Sequence, residues 1–155
     1  MTKTASKTNA NAEMAKHIGL ALSDTYVLAV KTHGYHWNVT GPFFAPLHAF
    51  FGTQYEALFA AADELAERMR ALDVMPEGSM KAFLQSTVVK EADTKELTSE
   101  EMLKDLMHSH EKLRERLAVA VDFAGDVDDM ASQDLLIQRL QDHDKSIWMI
   151  RSHLA

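Results

Sequence analysis

Apolar residues recur at three- and four-residue steps along most of this 155-residue chain, which is the spacing of amphipathic α-helices. Glycine and proline total nine residues, too few for a turn-rich β protein. The pattern predicts four long helices, with a short additional helix in the connection between the second and the third. The predicted helices cover about residues 11–38, 45–72, 79–85 (the short one), 98–125 and 132–154. The chain is therefore predicted to be all-α.

Some of the predicted helix ends carry specific signals. Pro46 suits the first turn of the second helix, where the missing backbone N–H is not needed. Thr98 and Glu101 have the spacing of a capping box, in which each side chain accepts from the other residue's backbone N–H. Ser132 is predicted as the N-cap of the fourth long helix. These signals support the predicted bounds.

The long connection between the second and third long helices limits the architecture. Four amphipathic helices with one long crossover form a four-helix bundle of the ferritin-like class. We predict this bundle over residues 11–155, preceded by a disordered polar tail over residues 1–10. A domain of this length can bury a sizeable core.

The charge and the composition exclude several classes of protein. The net charge is -7 at pH 7, so the folded body should not attract nucleic acid or anionic membranes in general. No apolar run approaches the ~20 residues that span a bilayer, and the N-terminus lacks the apolar stretch of a signal peptide. Because cysteine is absent, disulfides and thiolate metal sites are excluded. We expect a soluble, cytoplasmic protein with no membrane partner.

Histidines and carboxylates occur together in the segment 36–68, with His36 and His48 near its start and Asp63 and Glu67 near its end. Non-haem iron accepts this mixture of ligands. The fifteen steps from His48 to Asp63 span about 22 Å on one straight helix, so one metal ion cannot contact both in the same chain. Either the two ends are unrelated, or a second, antiparallel copy brings its own carboxylates beside these histidines.

Simpler explanations of these residues stay open from the sequence. Asp63 and Glu67 could belong to a solvated helix face and pair with Arg68 or Arg70. No Glu-x-x-His motif occurs, which counts against the common di-iron site inside a bundle and favours a site between subunits. Four histidines fall on apolar stripes, where hydrogen-bonded structural histidines are common: His33, His36, His110 and His143.

The segment that begins at His36 resembles the signature of the Dps family of miniferritins. It reads His-Trp-Asn-Val-x-Gly-Pro-x-Phe-x-x-Leu-His, followed by Tyr55 and by Asp-x-x-Ala-Glu-Arg at residues 63–68. The dense match covers residues 36–68. The helix order and the stretch from Asp144 to Trp148 extend the resemblance over most of the chain.

This resemblance implies a dodecameric shell with a catalytic ferroxidase centre at each two-fold interface. His36 and His48 of one subunit, with Asp63 and Glu67 of the partner subunit, would bind up to two iron ions. The implied function is oxidation of Fe²⁺, preferably by hydrogen peroxide, and storage of ferric oxyhydroxide, which protects DNA from oxidative damage. Gly52 departs from the family, in which an acidic residue is common, so we expect the second iron position to be weak or completed by water.

The resemblance also suggests roles outside this centre. Trp37 and Trp148 could relay electrons or intercept radicals, although burial in the core or in an interface also explains them. An acidic cluster falls where iron-entry pores are lined in the family, although helix termination and capping on a wet surface is the alternative. The cluster consists of Asp126, Asp128, Asp129 and Asp134.

DNA compaction, with secondary or impaired iron oxidation, is the alternative function. Some family members bind DNA through lysine-rich tails, and the predicted tail contains Lys3 and Lys7. One or two phosphate contacts per subunit gain strength only from avidity on a shell, and the negative net charge opposes them. We therefore expect weak or absent DNA binding, with association with the nucleoid only if the tails bind.

Overall fold

The computed structural model describes residues 2–92 and 96–155, with side chains from Thr8 onward within these ranges. Every regular element in the described ranges is a helix, which confirms the all-α prediction. The helices are α1 (Thr2–Asn38), α2 (Phe44–Ala71), the short α3 (Met80–Ser86), α4 (Ser99–Asp126) and α5 (Met130–Leu154).

Most helix ends lie within a residue or two of their predicted positions. Ser79 caps α3 by accepting a hydrogen bond from the backbone N–H of Ala82. The Thr98–Glu101 capping box is present in full at the start of α4, as predicted. These local signals are reliable because each satisfies backbone groups that a helix end leaves without partners.

The predicted N-cap of α5 is wrong. Asp129, not Ser132, is the N-cap, and its side chain accepts from the backbone N–H of Ser132 at 3.1 Å. Ser132 is buried inside the first turn, and its hydroxyl donates to Asp129 at 2.6 Å. Both residues are good caps, so residue type alone did not separate them.

Helix α1 begins at Thr2, whereas the sequence predicts its start near residue 11. Met1 and the side chains of residues 2–7, including Lys3 and Lys7, lie outside the described part of the chain. The division into a tail of residues 1–10 and a domain of residues 11–155 stays a prediction.

The bundle consists of two antiparallel hairpins, α1 with α2 and α4 with α5, which pack mainly through α1 against α4. Helices α2 and α5 meet only over a short stretch, and α3 lies against α1. The predicted apolar stripes form the core. Its largest fully buried side chains include Ile18, Leu28, Phe51, Leu65, Leu106, Leu117, Leu136 and Ile150.

Buried charges fix α1 against its neighbours. The ammonium group of Lys31 is 2.7 Å from the Asp105 carboxylate, which also accepts from the Tyr35 hydroxyl at 2.8 Å. The buried Asp24 carboxylate accepts from the hydroxyl of Thr87 and from the backbone N–H of Val88, both at 2.8 Å. Burial raises the pKa of Asp24 above its ordinary value. These contacts attach α4 and the α3–α4 connection to the centre of α1.

In the described part of the chain, no helix combines the length and the apolar content needed to cross a membrane.

Candidate metal centre

His36, in the last turn of α1, lies directly against His48 near the start of α2. The two rings are stacked with centroids 3.7 Å apart and planes inclined by 22°. A tight connection brings them together. Gly41 in this connection has φ +99°, a left-handed conformation that glycine adopts without strain.

Each imidazole is held by the backbone of the other histidine. His36 Nδ1 lies 2.7 Å from the His48 carbonyl oxygen, and His48 Nδ1 lies 2.8 Å from the His36 carbonyl oxygen. A carbonyl can only accept, so both Nδ1 atoms carry hydrogen. In the neutral rings both Nε2 atoms therefore keep a lone pair. This arrangement, which fixes both the tautomer and the ring direction, is typical of histidines that ligate metals.

Gly52 is buried one helical turn after His48, directly beneath the His36 ring. A Cβ atom at this position would lie 3.3 Å from His36 Cε1 and 3.4 Å from His36 Nδ1. An acidic side chain here would therefore start beside the first histidine. With glycine, the position supplies no ligand and leaves room for the stacked pair.

Asp63 and Glu67 lie exposed, one turn apart, toward the other end of α2. Neither forms an ion pair or a hydrogen bond through its side chain with another described residue. The proposed pairing with Arg68 does not occur, because the Arg68 guanidinium donates to Asp129 at 2.7 Å and to Ser132 at 2.8 Å.

The histidines and the carboxylates do not meet within one subunit. Among the described residues, no group of three or more histidine, aspartate or glutamate side chains is placed to hold a metal ion. The imidazoles, on α1 and at the start of α2, therefore lie apart from the carboxylates near the other end of α2.

Comparisons with known proteins place this fold and segment in a family. A family model described as "Ferritin-like domain" matches residues 15–155. General stress protein 20U of Bacillus subtilis is 32% identical over 92% of this chain and 98% of its own length. DNA protection during starvation protein 2 of Bacillus anthracis is 32% identical over 93% of this chain and 98% of its own length.

Solved structures agree. Dps from Staphylococcus aureus superposes with a TM-score of 0.90 at 31% identity, covering 93% of this chain and 96% of that chain. The Vibrio cholerae protein, described as a member of a broad superfamily of ferritin-like diiron-carboxylate proteins, superposes at 0.91 with 28% identity, covering 96% and 92%. The chain belongs to the Dps family. The predicted ferritin-like bundle with an extra short helix is thus confirmed.

Tyr55 is a neighbour of the Dps-type histidine pair whose position the sequence alone did not reveal. Its ring centroid lies 5.3 Å from that of His36 and 4.0 Å from that of His33, on which it stacks. The signal was present in the spacing, because residues 48, 52, 55 and 59 share one helix face. His33 is therefore an aromatic-stacked neighbour of the pair.

The two tryptophans are not core residues of this Dps subunit. Trp37 is 65% exposed and Trp148 is 62% exposed, so the prediction of burial in the core is wrong for the single chain. The Trp37 ring centroid lies 4.2 Å from that of His33, whose centroid lies 6.1 Å from that of His36. Placement in an interface and a role as an electron or radical relay both stay predictions.

The acidic cluster divides into two kinds of residue. Asp126, Asp128 and Asp134 are exposed. Asp129 instead caps α5 and pairs with Arg68. Burial alone would raise the pKa of Asp129, but its hydrogen bonds with Ser132 and the Arg68 charge lower that pKa below its ordinary value. The role in a pore stays a prediction.

Proposed function

We propose that the protein is a Dps-type miniferritin that oxidises Fe²⁺ at centres shared between two subunits. His36 and His48 supply the imidazoles, and the partner subunit's Asp63 and Glu67 supply the carboxylates. The observation that carries this proposal is the reciprocal histidine clamp, which leaves two lone pairs free, while no described residue of the same chain completes a group of three metal ligands there. The ferritin-like family model and the diiron-carboxylate structural neighbour support a role in iron storage, and relatives named for DNA protection support protection of DNA.

The role of the protein at such a centre is to hold Fe²⁺, the substrate, in position for oxidation. Neutral imidazoles and carboxylates bind Fe²⁺ and leave positions open to the oxidant. Hydrogen peroxide is the proposed preferred oxidant. Each of two Fe²⁺ ions gives one electron to the peroxide, whose O–O bond breaks, and two protons complete two water molecules. Hydrolysis of the Fe³⁺ then gives ferric oxyhydroxide, stored inside the shell.

The centre is proposed to have one strong iron position and one weak one. The acidic residue common in the family after the second histidine is absent, since Gly52 lies beneath His36. Water is the remaining oxygen donor available for the second ion. Up to two ions per centre are expected at saturation, with unequal affinities.

A homo-oligomer, with the dodecamer as the proposed form, is required for this mechanism. Large aromatic side chains are exposed in the single chain near the histidine pair, including Phe43 at 63% and Phe44 at 46%. Exposed aromatic residues in such number are typical of surfaces that pack against other subunits. Entry of Fe²⁺ is proposed to use the exposed Asp126, Asp128 and Asp134, with Asp129 holding their segment in place.

DNA compaction is the second proposed activity and the weaker one. The negative net charge opposes binding, and the basic residues of the tail are few. A gel-shift assay at physiological salt tests this, and a tight complex would contradict the expectation of weak binding.

The central test is the double variant Asp63→Ala with Glu67→Ala. We expect the shell to assemble and fast oxidation of Fe²⁺ by peroxide to fall to background, measured by stopped-flow absorbance. Glu64→Ala is the matched control on the same helix, since its carboxylate has only a long, 3.7 Å ion pair with Arg139. Wild-type rates in the double variant would refute the assignment of ligands.

Mixed shells test the sharing of the centre. Subunits that lack His36 and His48 are co-assembled in equal amounts with subunits that lack Asp63 and Glu67. If each centre combines two chains, about a quarter of the centres regain all four ligands by random pairing across the two-fold axis. If one chain supplied all four ligands, no activity would return.

A further inference from the structure

An aromatic groove lies beside Asp63, between α1, α2 and the short α3, and its volume is about 510 Å³. The Tyr26 ring forms part of its wall, with its centroid 5.5 Å from that of Phe59 and 4.8 Å from that of Phe83. Tyr26 and Phe59 are only partly buried. The groove therefore presents aromatic surface to solvent in the single chain, which is typical of a place where another molecule packs.

A second apolar surface continues along the same side of α1 toward the end of the helix. Tyr26, Val30, His33 and Trp37 follow one another at three- and four-residue steps and share one face of α1. Val30 is 43% exposed and Trp37 is 65% exposed. Tryptophan is enriched where subunits pack against each other. This face of α1 is thus open to a second copy of the chain.

The proposed sharing of the metal centre, on which this inference rests, fixes how two copies lie against each other. If His48 lies beside the partner subunit's Asp63 and the partner subunit's Glu67, the two copies of α2 run antiparallel. A two-fold axis then crosses α2 midway between these positions, at about residue 56. The same axis crosses α1 at the level of that residue.

Ring contacts within the chain show which part of α1 lies at this level. His33 stacks on Tyr55 with centroids 4.0 Å apart, and Tyr26 contacts Phe59 with centroids 5.5 Å apart. The axis therefore crosses α1 between His33 and Tyr26, near Val30.

This register brings Trp37 to the partner's groove. Trp37 follows Val30 by seven residues, about 10 Å along the helix. Antiparallel symmetry places Trp37 level with a point about 10 Å before the partner subunit's Val30. That point falls between the partner subunit's Leu22 and the partner subunit's Tyr26, and both of these positions line the groove.

We propose that Trp37 of each subunit inserts into the aromatic groove of the partner subunit. Trp37 directly follows the proposed ligand His36, and the groove is lined by the proposed ligand Asp63. An inserted indole therefore holds the imidazoles of one chain at a fixed separation from the carboxylates of the other. Trp37 is in this way a positioning residue for the iron centre.

The groove also offers a partner for the polar atom of an indole. A buried indole N–H needs a hydrogen-bond acceptor. Glu77 lines the groove, and its carboxylate makes no hydrogen bond or ion pair with another described residue. It is therefore available to accept from Trp37 Nε1, so that insertion leaves no buried donor unpaired.

Cross-linking tests the contact without removing Trp37, because the chain contains no cysteine of its own. Gly34 precedes Trp37 by three residues, and Gly78 lines the groove. A Cβ atom at either position meets no neighbouring group within 4 Å, so cysteine fits at both. The assembled Gly34→Cys, Gly78→Cys variant, treated with a short bis-maleimide, should give covalent dimers on a denaturing gel, with linked peptides that join residues 34 and 78.

The matched control is Val119→Cys with Gly78→Cys, in which the first cysteine takes an exposed position on α4. This variant should stay monomeric on the gel. Equal dimer yields in the two variants, or no link between residues 34 and 78, would overturn the proposal.

A larger side chain placed in the groove gives a second test. Ala66 lines the groove, and Ala66→Phe should occupy the space that the indole needs. Ala66→Phe and Trp37→Ala should each weaken assembly by at least about tenfold, measured by sedimentation velocity on dilution. If the two residues meet, the combined variant should lose little more than either single variant. Losses that multiply would show that they do not meet and would overturn the proposal.

The kinetics of iron oxidation test the positioning role. In shells that stay assembled, Trp37→Ala should raise the KM for Fe²⁺ by about tenfold, with a smaller change in the rate at saturating iron. Trp37→Phe should recover most of the wild-type KM. An unchanged KM in assembled Trp37→Ala shells would overturn this role.

The cross-link forms without iron, so the insertion and the proposed function can fail separately. Links between residues 34 and 78 in a protein that does not oxidise Fe²⁺ would support the insertion and overturn the proposed function alone. Oxidation that depends on Asp63 and Glu67, without such links, would overturn the insertion alone.

Discussion

Two histidine pairs join neighbouring helices of this bundle, and their ring nitrogens are bonded in different ways. His36 and His48 join α1 to α2, and each Nδ1 donates to a backbone carbonyl of the other histidine. His110 and His143 join α4 to α5, and their Nδ1 atoms bond to each other at 2.8 Å. The first pair leaves the lone pairs of both Nε2 atoms free. In the second pair, the Nδ1 atom of one ring donates to the Nδ1 atom of the other.

The two pairs also differ in their exposure to solvent. His36 and His48 are partly exposed, while His110 and His143 are 1% and 4% exposed. A pair at the surface can be completed by another subunit, and a pair in the core cannot. The comparison teaches that the partner of Nδ1 and the access to Nε2 decide whether a histidine can act as a ligand.

Replacing each pair in turn should give the largest difference in the rate of Fe²⁺ oxidation. His36→Ala with His48→Ala removes the proposed imidazole ligands, so peroxide-driven Fe²⁺ oxidation should fall by at least about a hundredfold. His110→Leu with His143→Leu exchanges a buried hydrogen-bonded pair for apolar groups, which costs little when both partners change. Its oxidation rate, measured on assembled shells, should equal that of the wild type. Equal losses in the two double variants would remove the distinction between the pairs.

Acid should lower the stability of the folded protein, because the buried His143 resists protonation. The folded-state pKa of His143 is about 4, below the ordinary 6.5, because burial disfavours the charged ring. As the pH falls below about 6.5, His143 becomes protonated in the unfolded chain, whereas in the folded chain it stays neutral until about pH 4. The contribution of His143 to the free energy of unfolding should thus be fully present above pH 6.5 and be lost between pH 6.5 and 4. For this group the loss is on the order of 3 kcal/mol.

Urea unfolding as a function of pH measures this decline. The His110→Leu, His143→Leu variant is the control, because it lacks both groups and should lose the part of the pH dependence that they cause. A variant with the same slope as the wild type between pH 6.5 and 4 would assign the acid sensitivity to other groups. The buried Asp24 is not such a group, because a carboxyl group whose pKa is raised by burial takes up its proton more readily in the folded chain and makes stability rise as the pH falls.

The sequence predicted the bundle well because periodicity and end signals are local. The apolar stripes of α2 and α4, the short α3 and the Thr98–Glu101 capping box all follow from residues within a few positions of each other. The distance from His48 to Asp63 also follows from helix geometry alone. It showed that one metal ion cannot contact both residues in the same chain, and the sharing of the centre between two subunits stays a prediction.

The remaining features depend on contacts between distant residues. Asp129 caps α5 in place of Ser132, and Arg68, far away in sequence, binds both of them. His110 and His143 share a stripe pattern with His33 and His36, and only packing shows which histidines meet.

Gly52→Asp tests the surface pair formed by His36 and His48. Its expected effect, a change in affinity for the second Fe²⁺, is the smallest of these predictions. A Cβ at this position would lie 3.3 Å from His36 Cε1, so the His36 ring must give by a few tenths of an ångström. The new carboxylate would then stand next to the histidine pair, where it can serve the second iron position. We expect the affinity for the second Fe²⁺ to rise severalfold, by up to about tenfold, with the first unchanged. Titration of Fe²⁺ under anaerobic conditions measures both steps, and Gly52→Ala adds the Cβ without the carboxylate. If alanine and aspartate gave the same second step, the steric change and not the ligand would be responsible, and the weak position would have another cause.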